Sequence, residues 1–217
     1  MNGFAGIKRI FLVLLVGLAL AVPSLAADND GLQNILAQLK AAAAKVKTLQ
    51  SLFVQEKNLE MFEQQLLSSG RMVYVQPDQL RWELLTPVAS GFILKGEQGV
   101  RWNAVSQQRQ RFSVNADPLM GVVAQQLLAW ARVDLEWLRE RYRIVLMATA
   151  PVVLELTPLD PGEAEFIESI EVTFDPQQGY VTDVLIQEQS SDSMRLRFTD
   201  VRINDSVAAE AFVPPEF

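Results

Sequence analysis

Apolar residues recur at helical spacing near the start of the chain and later alternate with polar residues, as in β-strands. Between residues 30 and 47 they fall three or four positions apart, and Asp30 precedes them as a candidate N-cap. From residue 71 the period becomes two, which predicts neighbouring strands with one shared face each. The positions on those faces are Met72, Tyr74 and Gln76 in the first strand and Leu80, Trp82 and Leu84 in the second. Further strands are predicted at residues 92–94, 100–102 and 109–114, with a turn at residues 97–99.

A helix interrupts the strands in the middle of the chain. Asp117 is a capping acid and Pro118 suits the first helical turn, so a helix is expected to begin there. Two neighbouring apolar stripes follow, which give a wide apolar face. The stripes consist of Leu119, Val123, Leu127 and Trp130, and of Met120, Ala124, Leu128 and Ala131. A shorter helix is predicted after Asp134.

Strand patterns return after the helices and continue almost to the end of the chain. They cover residues 144–148, 152–157, 166–174, 181–187 and 194–199. The order of helix, strands, helices and strands predicts an α+β fold with an antiparallel sheet. No internal repeat or low-complexity linker divides the sequence, so one domain is expected at residues 27–217. Some strands are apolar on both faces, which indicates a sheet covered on both sides or strongly curved around helices.

The first residues have the features of a secretory signal. Lys8 and Arg9 precede an apolar run at residues 10–22, Pro23 ends it, and Ala26 completes a site with small residues for cleavage. The run is shorter than the roughly 20 residues of a spanning helix. We therefore predict a signal peptide at residues 1–26 and export to the periplasm, with an uncleaved N-terminal anchor as the alternative.

The composition excludes several kinds of chemistry. The chain of 217 residues has no Cys and no His, so disulfides, thiolate nucleophiles and a Ser-His-Asp triad are impossible. We find no phosphate-binding glycine loop and no pattern of metal ligands, and therefore expect no metal, no cofactor and no enzymatic activity. A formal net charge of −7 argues against nucleic acid as a partner.

Several short segments together resemble one family. They are Phe53-Val54-Gln55, Ser69-Gly70-Arg71-Met72, the run from Gln76-Pro77 to Trp82-Glu83, Thr86-Pro87, and Phe212-Val213-Pro214-Pro215. This set resembles the periplasmic outer-membrane lipoprotein carrier family (LolA-like) across most of residues 30–217. The resemblance implies an incomplete, unclosed antiparallel β-barrel, or strongly curved sheet, with an α-helical lid. It also implies an apolar cavity that holds acyl chains of lipoproteins.

The resemblance and the apolar patterns together predict the residues that contact the cargo. We expect a lipid-binding cavity and lid formed by Met72, Tyr74, Leu80, Trp82, Leu84, Phe92, Leu94, Trp102, Leu119, Met120, Leu127 and Trp130. In the family an Arg before the Pro ties the lid shut by hydrogen bonds. Gln76 stands at that lid-latch position here, and Gln is neutral with fewer donors than Arg.

The cargo and the partners follow from the same resemblance. The cargo is either the acyl chains of lipoproteins or another amphipathic lipid, since residues 129–142 resemble members that accompany exporters of pigments or lipids. Transient contacts with an inner-membrane exporter and an outer-membrane acceptor are implied, and a monomer is expected. The alternative is a periplasmic sensor of similar fold that binds lipid or peptide and regulates an envelope stress response.

Overall fold

The computed structural model describes residues 25–61 and 65–216. The signal peptide predicted at residues 1–26 lies outside the described residues except for its last two positions. The helices are α1 (Leu25–Ala43), α2 (Pro118–Arg132), α3 (Leu135–Arg141), α4 (Pro161–Ala164) and a short 3-10 turn (Ala209–Phe212). The strands are β1 (Thr48–Asn58), β2 (Leu66–Val75), β3 (Gln79–Thr86), β4 (Ser90–Lys95), β5 (Gln98–Asn103), β6 (Gln108–Ser113), β7 (Tyr142–Thr149), β8 (Val152–Pro158), β9 (Ile167–Phe174), β10 (Val181–Glu188) and β11 (Ser193–Ile203).

The described strands form one antiparallel sheet. Its order is β6-β5-β4-β3-β2-β1-β11-β10-β9-β8-β7, so the first and last strands of the chain meet at its centre through the pairing of β1 with β11. Strands β6 and β7 stand at opposite ends of this order and do not pair with each other. The sheet is therefore an unclosed barrel, and the predicted α+β fold with a helical lid is confirmed.

The helices cover one face of this sheet, which we call the core face. Alternation along each strand directs one set of apolar side chains toward the helices, and Leu80, Leu154 and Leu156 are 0% exposed. From α1, Leu36 and Leu39 enter the same core. Helices α2 and α3 bring further apolar residues against the sheet, and we call these two helices the lid.

The bounds of α1 differ from those expected from the sequence. The described part of the helix starts at Leu25, so Asp30 lies inside the helix and not at its cap, and the helix ends at Ala43, before the predicted end near Lys47. Asp117 and Asp134 do cap α2 and α3, because their carboxylates accept hydrogen bonds from the backbone N–H groups of Met120 and Trp137. Among the described residues, no helix combines the length and apolarity that crossing a bilayer requires.

The other face of the sheet, the outer face, is covered in part by the end of the chain. Thr48 Oγ1 donates to the carbonyl of Asp205, and Gln50 Nε2 donates to that of Ser206. The Lys95 ammonium lies over the Phe212 ring at 5.5 Å. Residues 204–216, which we call the C-terminal segment, thus cross β1 to β4. This cover explains why strands β2 to β4 carry apolar residues on both faces.

A buried ion pair fastens the C-terminal segment to the sheet. Arg81 is 3% exposed and Glu83 is 5% exposed. The Arg81 guanidinium donates two hydrogen bonds to the Glu83 carboxylate, from Nε at 2.9 Å and from Nη2 at 3.0 Å. Its Nη1 donates to the carbonyls of Ala211 at 2.9 Å and Val213 at 3.0 Å. Arg81 therefore satisfies its buried charge and two backbone acceptors at once.

Candidate functional site

Cross-strand rows on the core face of β2 to β6 build one wall of the candidate site. The register gives three neighbouring rows, because residues directly opposite each other share a face. The first row is Met72, Trp82, Phe92, Arg101 and Gln110. The second row is Tyr74, Leu80, Leu94, Gly99 and Phe112, and the third is Gly70, Leu84, Ser90, Asn103 and Gln108.

An open pocket of about 350 Å³ lies between the first and third rows and the start of α2. Trp82, Leu84 and Phe92 form its apolar floor, and Met120 and Val123 close it from the lid. Its rim carries the polar residues Ser90, Asn103, Ser106, Gln108 and Gln110, together with Arg101. The second row adds no such space, because Leu94 and Phe112 are buried and the Phe112 ring lies over Gly99.

Stacked aromatic rings support the floor of the pocket. The rings of Phe53 and Trp82 are stacked with centroids 4.1 Å apart, and Phe198 meets both rings edge to face. Phe92 contacts Phe112 edge to face at 6.1 Å. These rings are rigid and apolar, so the floor keeps its shape and offers surface to a hydrocarbon chain.

Arg101 joins the sheet to the beginning of the lid. Its Nη1 donates to Oδ2 of Asp117 at 3.0 Å, while Oδ1 of the same carboxylate accepts the backbone N–H of Met120 at 3.1 Å. Its Nε and Nη2 donate to Oε1 of Gln110 at 3.1 and 2.9 Å. The residue that caps α2 is thus also the ionic partner of the sheet, which fixes the start of the lid above the pocket.

The rest of the lid packs closely on the sheet. Leu49, Met72, Leu127 and Trp130 enclose a void of only about 20 Å³ under the middle of α2. No methylene chain fits into so small a space beside well-packed side chains. The structure therefore shows a lid that is closed over the void beneath Leu127 and Trp130 and leaves open space near the first turn of α2.

Ten of the twelve predicted cavity residues divide into three groups. Trp82, Leu84, Phe92 and Met120 line the open pocket, whereas Met72, Leu127 and Trp130 line the small void. Tyr74, Leu80 and Leu94 belong to the packed core. Burial raises the pKa of the Tyr74 phenol, nearby Asp78 raises it further, and Arg132 partly offsets both. The phenol stays neutral, which suits a residue of the core.

Trp102 is predicted to line the cavity, and it lines the open pocket from a strand position that belongs to the outer face. It pairs with Gly91 across the strands, and its ring is 5.1 Å from the Arg81 guanidinium. The predicted turn at residues 97–99 would have paired it with Leu94. The actual loop is Gly96-Glu97, with Gly96 at φ +59°, and this different register moves Trp102 to the other face.

Leu119 is predicted to face the cavity from the lid, but it is 71% exposed. The cap at Asp117 sets the phase of α2 so that Met120, Ala124, Leu127 and Leu128 face the sheet. The buried face combines Met120, Ala124 and Leu128 of one predicted stripe with Leu127 and Trp130 of the other. Leu119 faces solvent, and Val123 is 38% exposed at the pocket. Both stripes are apolar in sequence, so only the packing selects this combination.

Gln76 does not act as a latch for the lid in this structure. Its Oε1 accepts a hydrogen bond from Nζ of Lys47 at 2.9 Å, and its backbone N–H donates to the Lys47 carbonyl. Both contacts are with the chain before β1. Arg101 makes an ionic contact between the sheet and the cap of the lid helix, and the sequence patterns assign it only a place in a strand. Its position opposite Phe92 becomes clear only once the two-residue loop is known.

Within residues 25–61 and 65–216, no group of three or more acidic side chains is placed to hold a metal ion. The pocket instead combines an apolar floor with a hydrogen-bonding rim, as expected for binding of an amphiphile.

A family model for the outer membrane lipoprotein carrier protein LolA matches residues 44–215. The chain belongs to this family. It is also 21% identical to an outer-membrane lipoprotein carrier protein from Pseudoalteromonas translucida, over 94% of this chain and 92% of that protein. Members of the LolA family are carriers, and the closed lid over an apolar face agrees with that description.

Solved structures share the fold at low sequence identity. An uncharacterized conserved protein from Thermus thermophilus has a TM-score of 0.54 at 10% identity, over 85% of this chain and 94% of that one. A chain of the Pseudomonas aeruginosa MucA/MucB complex has a TM-score of 0.52 at 17% identity, over 84% of this chain and 60% of that one. At these identities the likeness concerns the fold alone.

Proposed function

We propose that this protein is a periplasmic carrier without enzymatic activity. It binds the acyl chains of lipoproteins, or of a related amphipathic lipid, and takes them from an inner-membrane exporter to an outer-membrane acceptor. Membership of the LolA family supports the general class. The single observation that carries the proposal is the open apolar pocket between Trp82, Leu84 and Phe92 on the sheet and Met120 on the lid.

A carrier is needed because hydrocarbon chains are unstable in water. Each methylene transferred from water into an apolar site gains about 0.8 kcal/mol. A chain of roughly 16 carbons therefore cannot cross an aqueous compartment unshielded, since it would lose about 12 kcal/mol by that coefficient. The carrier needs to match a membrane only approximately, and an open pocket with a movable cover allows the cargo to leave.

The size of the pocket defines what the lid must do. About 350 Å³ is at the lower end of the roughly 300–1,000 Å³ found for small-molecule sites. It accepts one hydrocarbon chain, or part of one, with the lid as it stands. A cargo with several chains would have to lift Met120 and Leu127, which are buried beneath the lid helix, from the core face.

The experiment fills the pocket from its rim. Ser90 lies in the third row, so Ser90→Trp places an indole into the pocket, whereas Thr149→Trp at the exposed end of β7 is the matched control. Binding of 1-N-phenylnaphthylamine is measured by fluorescence, with folding checked by thermal melts. We expect Ser90→Trp to bind the probe at least about tenfold more weakly and Thr149→Trp to bind as the unchanged protein does. Equal binding by a folded Ser90→Trp protein would refute the site.

The second candidate is a sensor that binds a partner protein. It is supported by the fold that this chain shares with a chain of the MucA/MucB complex. A photo-crosslinking amino acid at position 90, activated in intact cells, separates the two candidates. The carrier gives an adduct that contains acyl chains, either a lipid or a lipoprotein, whereas the sensor gives an adduct with a protein that carries no acyl chain.

A further inference from the structure

The charge at the rim of the pocket distinguishes between head groups. Among the described residues that line the pocket, Arg101 is the one with a charged side chain, and the other polar residues are neutral amides and hydroxyls. The other cations of β6, Arg109 and Arg111, pair with Trp102 and Val100 and so belong to the outer face. A head group at this rim therefore meets one guanidinium and several neutral hydrogen-bonding groups.

The guanidinium has capacity for a ligand. Three of its five N–H donors form the contacts with Gln110 and Asp117. The pair with Asp117 is partly exposed, with side-chain exposures of 39% and 25%, and such pairs are weak in water. Asp117 would keep its second role if the pair opened, because Oδ1 still caps α2 through the N–H of Met120.

Resting on the proposed function, we propose that the pocket selects a single-chain amphiphile with an anionic head group, a carboxylate or a phosphate. The tail lies on Trp82 and Phe92, and the head group binds Arg101 in competition with Asp117. Arg101 stands opposite Phe92 in the first row, so one molecule reaches both the apolar floor and the cation. Planar guanidinium groups bind both kinds of anion through paired hydrogen bonds.

The same contact couples binding to the lid. An anion that replaces the Asp117 carboxylate removes the tie between β5 and the residue that caps α2. The start of the lid is then released while its helix cap remains. A ligand with a cationic head group would instead be repelled by Arg101, and a neutral one would leave the tie in place.

The test uses ligands with one tail and different heads. Laurate, dodecyl phosphate, dodecanol and dodecyltrimethylammonium, each below its micellar concentration, displace 1-N-phenylnaphthylamine from the mature protein. We expect the two anions to displace the probe at about tenfold lower concentration than the cation, with dodecanol between them. Inorganic phosphate and acetate, which have no tail, are expected to displace nothing.

Variants test whether Arg101 causes the preference for anionic head groups. Arg101→Gln should remove the preference for anions and leave dodecanol binding within about twofold, and Arg101→Lys should restore part of it. Asp117→Asn keeps an N-cap acceptor and should strengthen laurate binding severalfold. Arg143→Gln, at an exposed position of β7, is the control and should change nothing.

The outcomes separate the two proposals. If Arg101→Gln has the same order of affinities as the unchanged protein, or if no order exists, the anionic selectivity is refuted although the carrier proposal stands. If none of the four tailed ligands displaces the probe, or the probe does not bind, the carrier proposal itself fails. Displacement by phosphate or acetate alone would identify an anion site unrelated to hydrocarbon binding and would also overturn the inference.

Discussion

Arg81 offers the sharpest test of how the fold is held together on the outer face. Arg81→Leu removes two hydrogen bonds to Glu83 and two to the carbonyls of Ala211 and Val213. It leaves the buried Glu83 carboxylate with Arg71, whose Nε donates to it at 2.6 Å. The variant should therefore lose stability and release the C-terminal segment from β3.

The expected loss follows from the burial of the pair. Removing one partner of a buried ion pair destabilises a protein by about 3–5 kcal/mol, and the remaining contact with Arg71 favours the lower value. In a domain of this size, each kcal/mol lowers Tm by about 2–4 °C, which gives a fall of about 6–12 °C. The double variant Arg81→Leu, Glu83→Leu should lose less than the two single variants together, since no charge is left unpaired.

The pH dependence of the same variant gives an independent check. Burial acts to raise the pKa of Glu83, but hydrogen bonds from Arg81 and Arg71 outweigh it and hold the pKa below its ordinary value of 4.5. The ionised pair thus contributes its full stability above pH 4.5, and that contribution is lost as the pH falls through the lower pKa of the folded state. The difference in stability between the unchanged protein and Arg81→Leu should shrink over that acidic range.

Urea unfolding at several pH values measures the losses of stability, and thermal melts measure the fall in Tm. Arg81→Lys, which keeps the charge but not the paired geometry, is the intermediate control. A loss below about 1 kcal/mol for Arg81→Leu, or additive losses in the double variant, would refute the assigned role of the pair.

Three further changes test other contacts. Gly70→Ala would place its Cβ 2.3 Å from the carbonyl oxygen of Glu83, and urea unfolding should show a loss of about 1–3 kcal/mol, whereas a neutral effect would contradict the tight packing of β2 on β3. Tyr142→Phe removes a hydrogen bond of 2.5 Å to Glu163. The free energy of unfolding should fall by about 1.5–3 kcal/mol, as is typical of a hydrogen bond to a charged group, and Tm should fall with it. An unchanged Tm would show that the bond is not formed in solution. Leu80→Glu buries a charge at a position that is 0% exposed, and circular dichroism should show an unfolded protein, while a native melt would contradict its place in the core.

Much of the sheet could be predicted from the alternation of residues. Leu80, Trp82 and Leu84 share the core face because β3 is regular between its neighbours. The cap at Asp117 and the lid helix that it begins were also predictable, because a capping acid followed by Pro is a local signal. Local patterns of this kind need no knowledge of the rest of the chain.

The details of the candidate site depend on register and phase, which local patterns do not determine. The loop at Gly96-Glu97 places Arg101, and not Trp102, in the core-face row of Phe92. On α2 both predicted stripes are apolar, and tertiary packing buries Met120 while Leu119 remains exposed. The resemblance to the carrier family indicates Gln76 as the lid-latch position, whereas the ionic contact between the sheet and the cap of the lid helix is made from β5.

The central claim is that a hydrocarbon tail lies between the core face of β3 and β4 and the start of α2. Methyl NMR of the mature protein with stearate that carries a spin label on its tail tests this most directly. Met120 lines the pocket, so its methyl signal should broaden strongly. Met147 is exposed on β7, so its methyl signal should broaden little. Equal broadening of both signals, or none at Met120 with saturating ligand, would contradict it.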